Sequence, residues 1–386
     1  MKCTILLAAV IALVQAAPLV KNNGGKPIAD SYIVVLKNGH TADSFQSRFD
    51  HIASRHRGSG VKPSIYHRYG KVHGFAAKFD ADALKEIMAS EEVDYVEQDS
   101  IVTIQGTQTS PPSWGLTRVS ERNLDLTQPY LYNDAAGEGV TAYVIDTGVY
   151  ADHSEFGGRA TFGANFISDS EDTDENGHGT HVSGTIGGTT YGIAKKVNIV
   201  GVKVLNASGS GSTSGVIAGM DWVAANAVAG KSVVNMSLGG SSSTALNSAA
   251  ARLYAANIPL IVAAGNDADD ACDGSPSGAD NTFTVAASDK TDAPAYFTSY
   301  GSCVEIFAPG VSIVSSYIGS TTAVKTLSGT SMATPHVVGV AALFLSSNTL
   351  NTAQALFDKL TSTASSGKIT GTLNGSPNLL VYNGAA

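Results

Sequence analysis

Asp146 closes the apolar pair Val144-Ile145 and precedes Thr147-Gly148. A carboxylate leaving a buried strand can accept a hydrogen bond from an imidazole, fixing its tautomer and stabilising its cation. His178 offers that imidazole in Asn176-Gly-His-Gly-Thr-His181, where glycines on both sides let a helix start come close to a neighbouring strand. Ser331 lies in Ser328-Gly-Thr-Ser-Met-Ala-Thr-Pro-His336, ahead of a hydrophobic run. A serine at a helix N-terminus sits in partial positive charge, and its backbone N–H is free to bind an oxyanion. Pro335 is expected within the first turn, where N–H groups lack helical partners anyway. Asn266 ends Ala263-Ala-Gly-Asn266, and a side-chain amide just past a buried strand can donate to the same developing charge. Together these types suit nucleophilic acyl transfer. Singly, each has a plainer reading: a turn aspartate, a capping serine, a turn asparagine. A zinc site at His178 and His181 lacks the i,i+4 spacing with an intervening Glu. An aspartic-protease reading needs a second Asp-Thr-Gly, which the sequence does not contain.

Holding such residues in place takes buried strands. From residue 106 onward, strand-like apolar runs at 140–145, 198–205, 232–238, 258–264, 283–287 and 304–307 alternate with helical stretches at 178–185, 214–229, 243–256 and 331–345. Continuous apolar runs mean strands covered on both faces, which is the parallel-sheet pattern. The fold class is α/β, a mostly parallel sheet flanked by helices, with its ligand crevice at the carboxyl ends of the strands. Ahead of it, residues 30–104 read as a small α+β unit. A strand is predicted at 31–36, a helix over 41–56 entered by a capping Thr41, and a β region at 64–79 with Gly70 and Gly74 as turn or bulge points. A helix at 81–89 and a strand at 93–104 follow. The polar stretch 105–112 reads as an exposed linker. Charge changes there: residues 18–105 carry 11 basic and 11 acidic side chains, and those from 106 onward 12 and 22, a net of -10.

A chain of 386 residues suits one small and one large domain. Its 43% hydrophobic and 15% charged residues are an ordinary globular mix. The net charge of -9 leaves no basic stripe to neutralise phosphates, which argues against nucleic acid as a partner. Lys2, the apolar stretch 4–14 and the small residues Ala16-Ala17 form a secretory signal peptide, 1–16, with cutting after Ala16. That run is too short to span a bilayer, and no later one is long enough. A secreted, extracellular product without a membrane anchor is expected. Cys3 leaves with the signal, so Cys272 and Cys303 remain. Two cysteines in an exported chain most simply form one disulfide, metal ligation and free thiols being the alternatives.

Val144-Ile-Asp-Thr-Gly-Val149, Asn176-Gly-His-Gly-Thr-His-Val-Ser-Gly184, Ser237-Leu-Gly-Gly240, Ala263-Ala-Gly-Asn266 and Gly329-Thr-Ser-Met-Ala-Thr-Pro-His336 resemble the signatures of the subtilisin-like serine proteases, the subtilases. They follow one another in that family's order Asp, His, Ser. Trp114-Gly-Leu, Tyr191-Gly-Ile-Ala and Gly215-Val-Ile-Ala-Gly-Met-Asp221 are similar to its proteinase K-type branch. The resemblance covers residues 113 to about 383, and 31–104 resembles the family's inhibitory prodomain, a ferredoxin-like α+β unit. It implies a signal peptide (1–16), an inhibitory and chaperone prodomain (17–105) and a peptidase domain (106–386). It also implies the roles: Ser331 attacks the scissile carbonyl, His178 shuttles the proton, Asp146 orients His178, and the Asn266 amide and Ser331 N–H bind the oxyanion. Substrate is expected to lie extended between Gly209-Ser210-Gly211 and Ser237-Leu238-Gly239-Gly240, with Ala264 and Gly265 beside the cut residue. Small residues there leave room for large apolar side chains.

The implied partners are protein and peptide substrates and the chain's own prodomain, acting as an intramolecular inhibitor whose last strand lies in the cleft like a product. Cleavage is expected between Ile104 and Ser113, and the product is expected to be a monomer. The chemistry needs no cofactor. A structural calcium of the branch falls on Glu305, where relatives usually carry Asp, with carbonyls matching Asp280 and Thr282. The Cys272–Cys303 pair resembles a bridge of bacterial and fungal relatives. Asn206, Asn235 and Asn374 begin glycosylation sequons; Asn235 falls in a buried strand, which leaves Asn206 and Asn374 as the candidates. Two acidic loops, 169–175 with five carboxylates and 267–273 with four, are expected to attract basic substrate segments and raise the pKa of His178. Two rival readings stand: an inactive binding protein on this fold, and a precursor that serves mainly as inhibitor or chaperone through residues 17–105.

Overall fold

The computed structural model describes residues 16–20, 26–56, 60–69, 73–101 and 105–385. They fall into two compact units, Met1–Val102 and Thr103–Ala386. The expected signal segment, apart from Ala16, lies outside the described residues, as do Gly70 and residues 102–104.

In the first unit the order is β1 (Leu19–Val20), β2 (Lys26–Leu36), α1 (Ala42–Arg55), β3 (Ser64–Tyr69), β4 (Gly74–Lys78), α2 (Ala81–Met88) and β5 (Val93–Ile101). The sheet order β1-β5-β2-β4-β3 makes β2 to β5 a split βαβ unit with its two crossover helices, the ferredoxin-like form. Thr41 and Ser44 form a reciprocal capping box at the start of α1, worth about 1 kcal/mol. Phe45, Phe49 and Ile52 recur at helical spacing on the buried face of α1, and both phenylalanines pack on Phe75. Gly74 opens β4 where an added Cβ would lie 2.3 Å from the Val34 carbonyl oxygen.

The second unit begins with β6 (Gln105–Gln108), α3 (Trp114–Ser120), β7 (Tyr130–Asn133), β8 (Thr141–Asp146), β9 (Ala160–Asn165), α4 (His178–Gly187), β10 (Asn198–Lys203), α5 (Thr213–Asn226) and β11 (Ser232–Met236). It continues with β12 (Gly240–Ser241), α6 (Thr244–Ala255), β13 (Leu260–Ala263), β14 (Gly274–Ser275), β15 (Phe283–Ser288), β16 (Ile306–Pro309), β17 (Ile313–Ser316) and β18 (Val324–Leu327). Helices α7 (Thr330–Ser347) and α8 (Ala353–Thr363) and the short β19 (Ser365–Ser366) and β20 (Leu379–Leu380) complete it.

Nine strands form one sheet in the order β19-β20-β16-β15-β13-β11-β8-β10-β9. Every pairing from β20 to β9 is parallel. Strands β11, β13, β15 and β16 are buried at every position, which is why their sequences run apolar without alternation. From β8 the chain goes out to the edge strand β9 and returns to β10 beside β8, then passes to the other side and builds outward through β11, β13, β15 and β16. The carboxyl end of β8 is therefore the switch point where an α/β crevice forms. Helices α5 and α6 cover one face over Ile145, Val202 and Val262. Helices α4 and α7 cover the other over Val144, Ile261 and Val285. Met332–Leu345 of α7 are all buried, as expected of a helix that is apolar all round.

Two expectations need correction. The polar stretch 105–112 is a linker only in its second half, because β6 pairs antiparallel with β7 from Gln105↔Asn133 to Gln108↔Tyr130. Polar side chains do not prevent backbone pairing when an open strand lies alongside. Pro335 is the sixth residue of α7, beyond the first turn, with a consequence at the site.

Candidate active site

Asp146 is the last residue of β8 and fully buried. Its Oδ1 accepts from the Thr147 N–H at 2.7 Å and from His178 Nδ1 at 2.8 Å. A carboxylate only accepts, so Nδ1 carries the proton of that pair. His178 is the first residue of α4, after Gly177 at φ +102°. A Cβ on Gly179 would lie 2.2 Å from the Gly148 carbonyl oxygen, so glycine is what lets the helix start sit against the end of β8. Burial works to lower the His178 pKa. The charge and hydrogen bond of Asp146, then the charge of Asp174, act the other way and prevail, raising it above the ordinary imidazole value. Of the two acidic loops, only Asp174 takes part; no aspartate of 267–273 does.

Ser331 is the second residue of α7, so its N–H has no helical carbonyl to bond. Its hydroxyl donates to the Ser237 carbonyl at 3.0 Å, and the Ser237 hydroxyl donates to the Ser331 carbonyl at 2.9 Å. Pro335 explains the second bond. It stands four residues after Ser331 and has no N–H to give that carbonyl, and Ser237 supplies the missing donor. In this resting arrangement the Ser331 hydroxyl is held by Ser237, not by His178, in keeping with catalytic hydrogen bonds that tighten only around substrate.

Asn266 follows β13 by three residues. Its Oδ1 accepts from the Thr330 N–H at 2.8 Å and lies 3.0 Å from the Thr330 hydroxyl, which leaves Nδ2 to donate. Ser331 N and Asn266 Nδ2 lie 3.6 and 3.8 Å from one point, where a Cβ on Gly329 would stand. Both expected oxyanion donors thus border one small space, with the Asn266 Oδ1, at 3.6 Å, nearer to it than Nδ2.

Gly209, Ser210 and Gly211 follow β10, and Ser237, Leu238, Gly239 and Gly240 follow β11. With His178 they line a cleft of about 910 Å³ that also takes in the apolar Leu205, Val216 and Leu246. A second cavity of about 670 Å³ is lined by Ala263, Ala264, Gly265, Asn266 and Ser331, with Asp267, Asp269, Asp270 and Asp273 also in its wall. Cys272 and Cys303 are bonded with Cα atoms 5.3 Å apart, which ties that acidic loop to the segment before β16. Sequence reasoning missed the Thr330 anchor, the Ser237 hydroxyl and the part played by Asp174. Pro335 was a usable signal for an orphan carbonyl at Ser331, although not for its partner.

The Subtilase family model matches residues 137–379. This chain belongs to the subtilase family. The Peptidase inhibitor I9 model matches residues 31–105, so an inhibitor-type propeptide precedes the peptidase. The subtilase is 46% identical over 376 residues to a cuticle-degrading serine protease of Arthrobotrys oligospora, covering 93% of this chain and 91% of that one. It is 45% identical over 392 residues to subtilisin-like protease 2 of Pseudogymnoascus destructans, covering 98% and 97%. Among solved structures, a cold adapted subtilisin-like serine proteinase matches with a TM-score of 0.67 at 51% identity, covering 70% of this chain and 97% of that one. The protein is a subtilisin-like serine protease.

In the subtilase, Glu305 Oε2 accepts from the Thr284 N–H at 2.5 Å, and burial pushes its pKa up to about 8. The Thr282 hydroxyl donates to the Ala279 carbonyl at 2.8 Å, and Asp280 is exposed. Among the described residues no group of three or more His, Cys, Asp or Glu is placed to hold a metal. Beside the Asp280 and Thr282 carbonyls, a Glu305 carboxylate already tied to an N–H is a poor anchor for the roughly six to eight oxygens that calcium takes. Among the described residues no helix is long and apolar enough to cross a membrane. Asn235 is fully buried, Asn206 turns its Oδ1 to the Ser208 and Ser210 N–H groups, and Asn374 is exposed.

Proposed function

We propose that this subtilase is a secreted endopeptidase, made as a self-processing zymogen, that hydrolyses peptide bonds through an acyl-enzyme on Ser331. His178 takes the Ser331 proton and returns it to the leaving amine. Asp146 keeps His178 in the Nδ1–H tautomer and stabilises its cation, while the Asn266 amide and Ser331 N–H receive the negative charge. One observation carries the reading: the His178 Nδ1 to Asp146 Oδ1 bond of 2.8 Å, made by residues far apart in the chain at the sheet's crevice. Substrate adds as a strand between Gly209–Gly211 and Ser237–Gly240, and large apolar side chains at the cut site enter the cavity walled by Ala263, Ala264 and Gly265. A signal peptide ends at Ala16, the prodomain to residue 105 inhibits the peptidase until cleavage between Ile104 and Ser113, and the monomeric mature enzyme carries glycan at Asn206 and Asn374 where its host supplies it.

The test is expression of the full chain followed by a serine-directed fluorophosphonate. The wild type is expected to mature, take one label at Ser331 and cleave unstructured protein, while Ser331→Ala takes no label and stays a precursor. The rival is an inactive binding protein on this fold. A folded wild type that takes no label and cuts nothing would establish that rival.

A further inference from the structure

We propose that Asp174 is a positioning residue that locks the start of α4, and with it His178, onto the Asp146 end of β8. The proposal rests on the reading of Asp146 and His178 as the catalytic pair. Asp174 is 4% exposed, although it lies in a stretch of five carboxylates that reads as a solvated loop. Its Oδ1 accepts from the Thr147 hydroxyl at 2.8 Å, the Asn176 N–H at 3.0 Å and the Gly177 N–H at 2.8 Å. Its Oδ2 accepts from the Thr180 N–H at 2.9 Å and the Thr180 hydroxyl at 2.6 Å. Gly177, at the N-cap of α4, has no side chain to cap the helix, and Asp174 does that work from three residues further back.

The other contact reaches the strand. Thr147 directly follows Asp146, and its hydroxyl donates to Asp174 while accepting from the Gly179 N–H at 2.9 Å. One carboxylate therefore ties the residue after Asp146 to the residues on both sides of His178. All five partners are donors, which suits an ionised, acceptor-only group. An amide in its place would turn an NH₂ toward donors. A mere loop anchor would bond within its own loop; this one joins two elements whose separation sets the Asp146–His178 distance.

The groups facing His178 are Asp146 from β8, Asp174 from the preceding loop, and His181 one turn along α4. Lys203 on β10 is fully buried, donates to the Thr147 carbonyl at 2.8 Å and meets Glu175 at 3.4 Å. Asp146 and Asp174 both favour the imidazolium, so neutralising Asp174 has a pH signature that loss of packing alone lacks.

The experiment uses the full chain, matured and titrated for active sites with the fluorophosphonate. In Asp174→Asn, kcat per titrated site is expected to fall about ten- to a hundredfold, with KM little changed. The acid limb of its kcat/KM profile is expected to move to lower pH. Thr147→Val removes the bridge and keeps both charges, so kcat falls with the acid limb in place, and Thr147→Ser, which restores the hydroxyl, recovers turnover. Wild-type kcat and an unmoved acid limb in folded Asp174→Asn overturn the proposal. If that variant does not fold, wild-type kcat per site in Thr147→Val overturns it instead. A wild type that takes no label overturns the catalytic reading itself, which separates the two failures.

Discussion

The Asn266 amide oxygen is held by Thr330, and the proposed mechanism assigns the amide nitrogen to the oxyanion. Asn266→Ala is expected to lower kcat by about 10²–10³-fold with little change in KM, a size taken from the oxyanion-hole amide of subtilisin itself. Thr330→Val keeps the amide and one of its two anchors, so its loss should be smaller, roughly tenfold or less. Turnover per titrated site checks both, and equal losses would give the hydroxyl the larger share of the orientation. The pH profile belongs to this scale too. In the proposed mechanism His178 must be neutral to act as base, and its pKa is raised chiefly by Asp146, so the acid limb of kcat/KM is expected above the ordinary imidazole value. An acid limb at or below that value would remove Asp146 as the dominant partner. The candidate reactive residues stand out in the sequence because acyl transfer needs those types in short, local motifs. Their supports do not. Asp174 looks like its four acidic neighbours in sequence, and only its burial and its donors distinguish it.

Glycine positions decide whether elements approach closely enough for that chemistry. Gly179 is the clearest case, since an added Cβ would meet backbone, the Gly148 carbonyl oxygen at 2.2 Å, and backbone at a buried strand end cannot move cheaply. Gly179→Ala is expected to push α4 off β8, costing about 1–3 kcal/mol of stability and more than tenfold in kcat. Urea-unfolding midpoints and titrated turnover measure the two losses. Intact turnover with lowered stability would separate packing from catalysis at this contact. A second case is the pairing of Pro335 with Ser237. Ser237→Ala leaves the partly buried Ser331 carbonyl without its donor, a cost of about 1 kcal/mol. Strands β8, β10, β11 and β13 were legible as unbroken apolar runs, with boundaries off by a few residues. β6 was not, because its side chains are polar and its pairing with β7 is a backbone matter. α8 carried a readable signal in Ala353, Leu356, Phe357 and Leu360 behind the capping Thr352. α3, seven residues long, is too short for periodicity to register.

At the scale of the molecule, the alternation of strands and helices announced a parallel α/β sheet, yet strand order was beyond reach. Nothing local says that β8 is flanked by β10 and β11, and that placement puts Asp146 at the switch point. The buried helix α7 carries a global consequence as well. His336, five residues after Ser331, is 1% exposed and donates from Nδ1 to the Met332 carbonyl at 2.8 Å. A Cβ on Gly115 would lie 2.2 Å from its Nε2, so no solvent shell fits on that side. Burial lowers its pKa to about 4, and it lowers that of His181 to about 4. The sign follows from linkage. Below about pH 6.5 the unfolded chain binds a proton at each histidine that the folded chain refuses, so stability is lost as pH falls from about 6.5 through about 4. For the fully buried His336 this amounts to about 3 kcal/mol across the window. Urea unfolding of the full chain in the Ser331→Ala background, which removes self-digestion, should show that decline between neutral and acid pH. His336→Gln, which can still donate to Met332 but does not titrate, should be less stable at pH 7 through imperfect packing and yet show a shallower decline. If the two slopes coincide, His336 is protonated in the folded chain near its ordinary pH, and the packing around Gly115 must open to admit the charge.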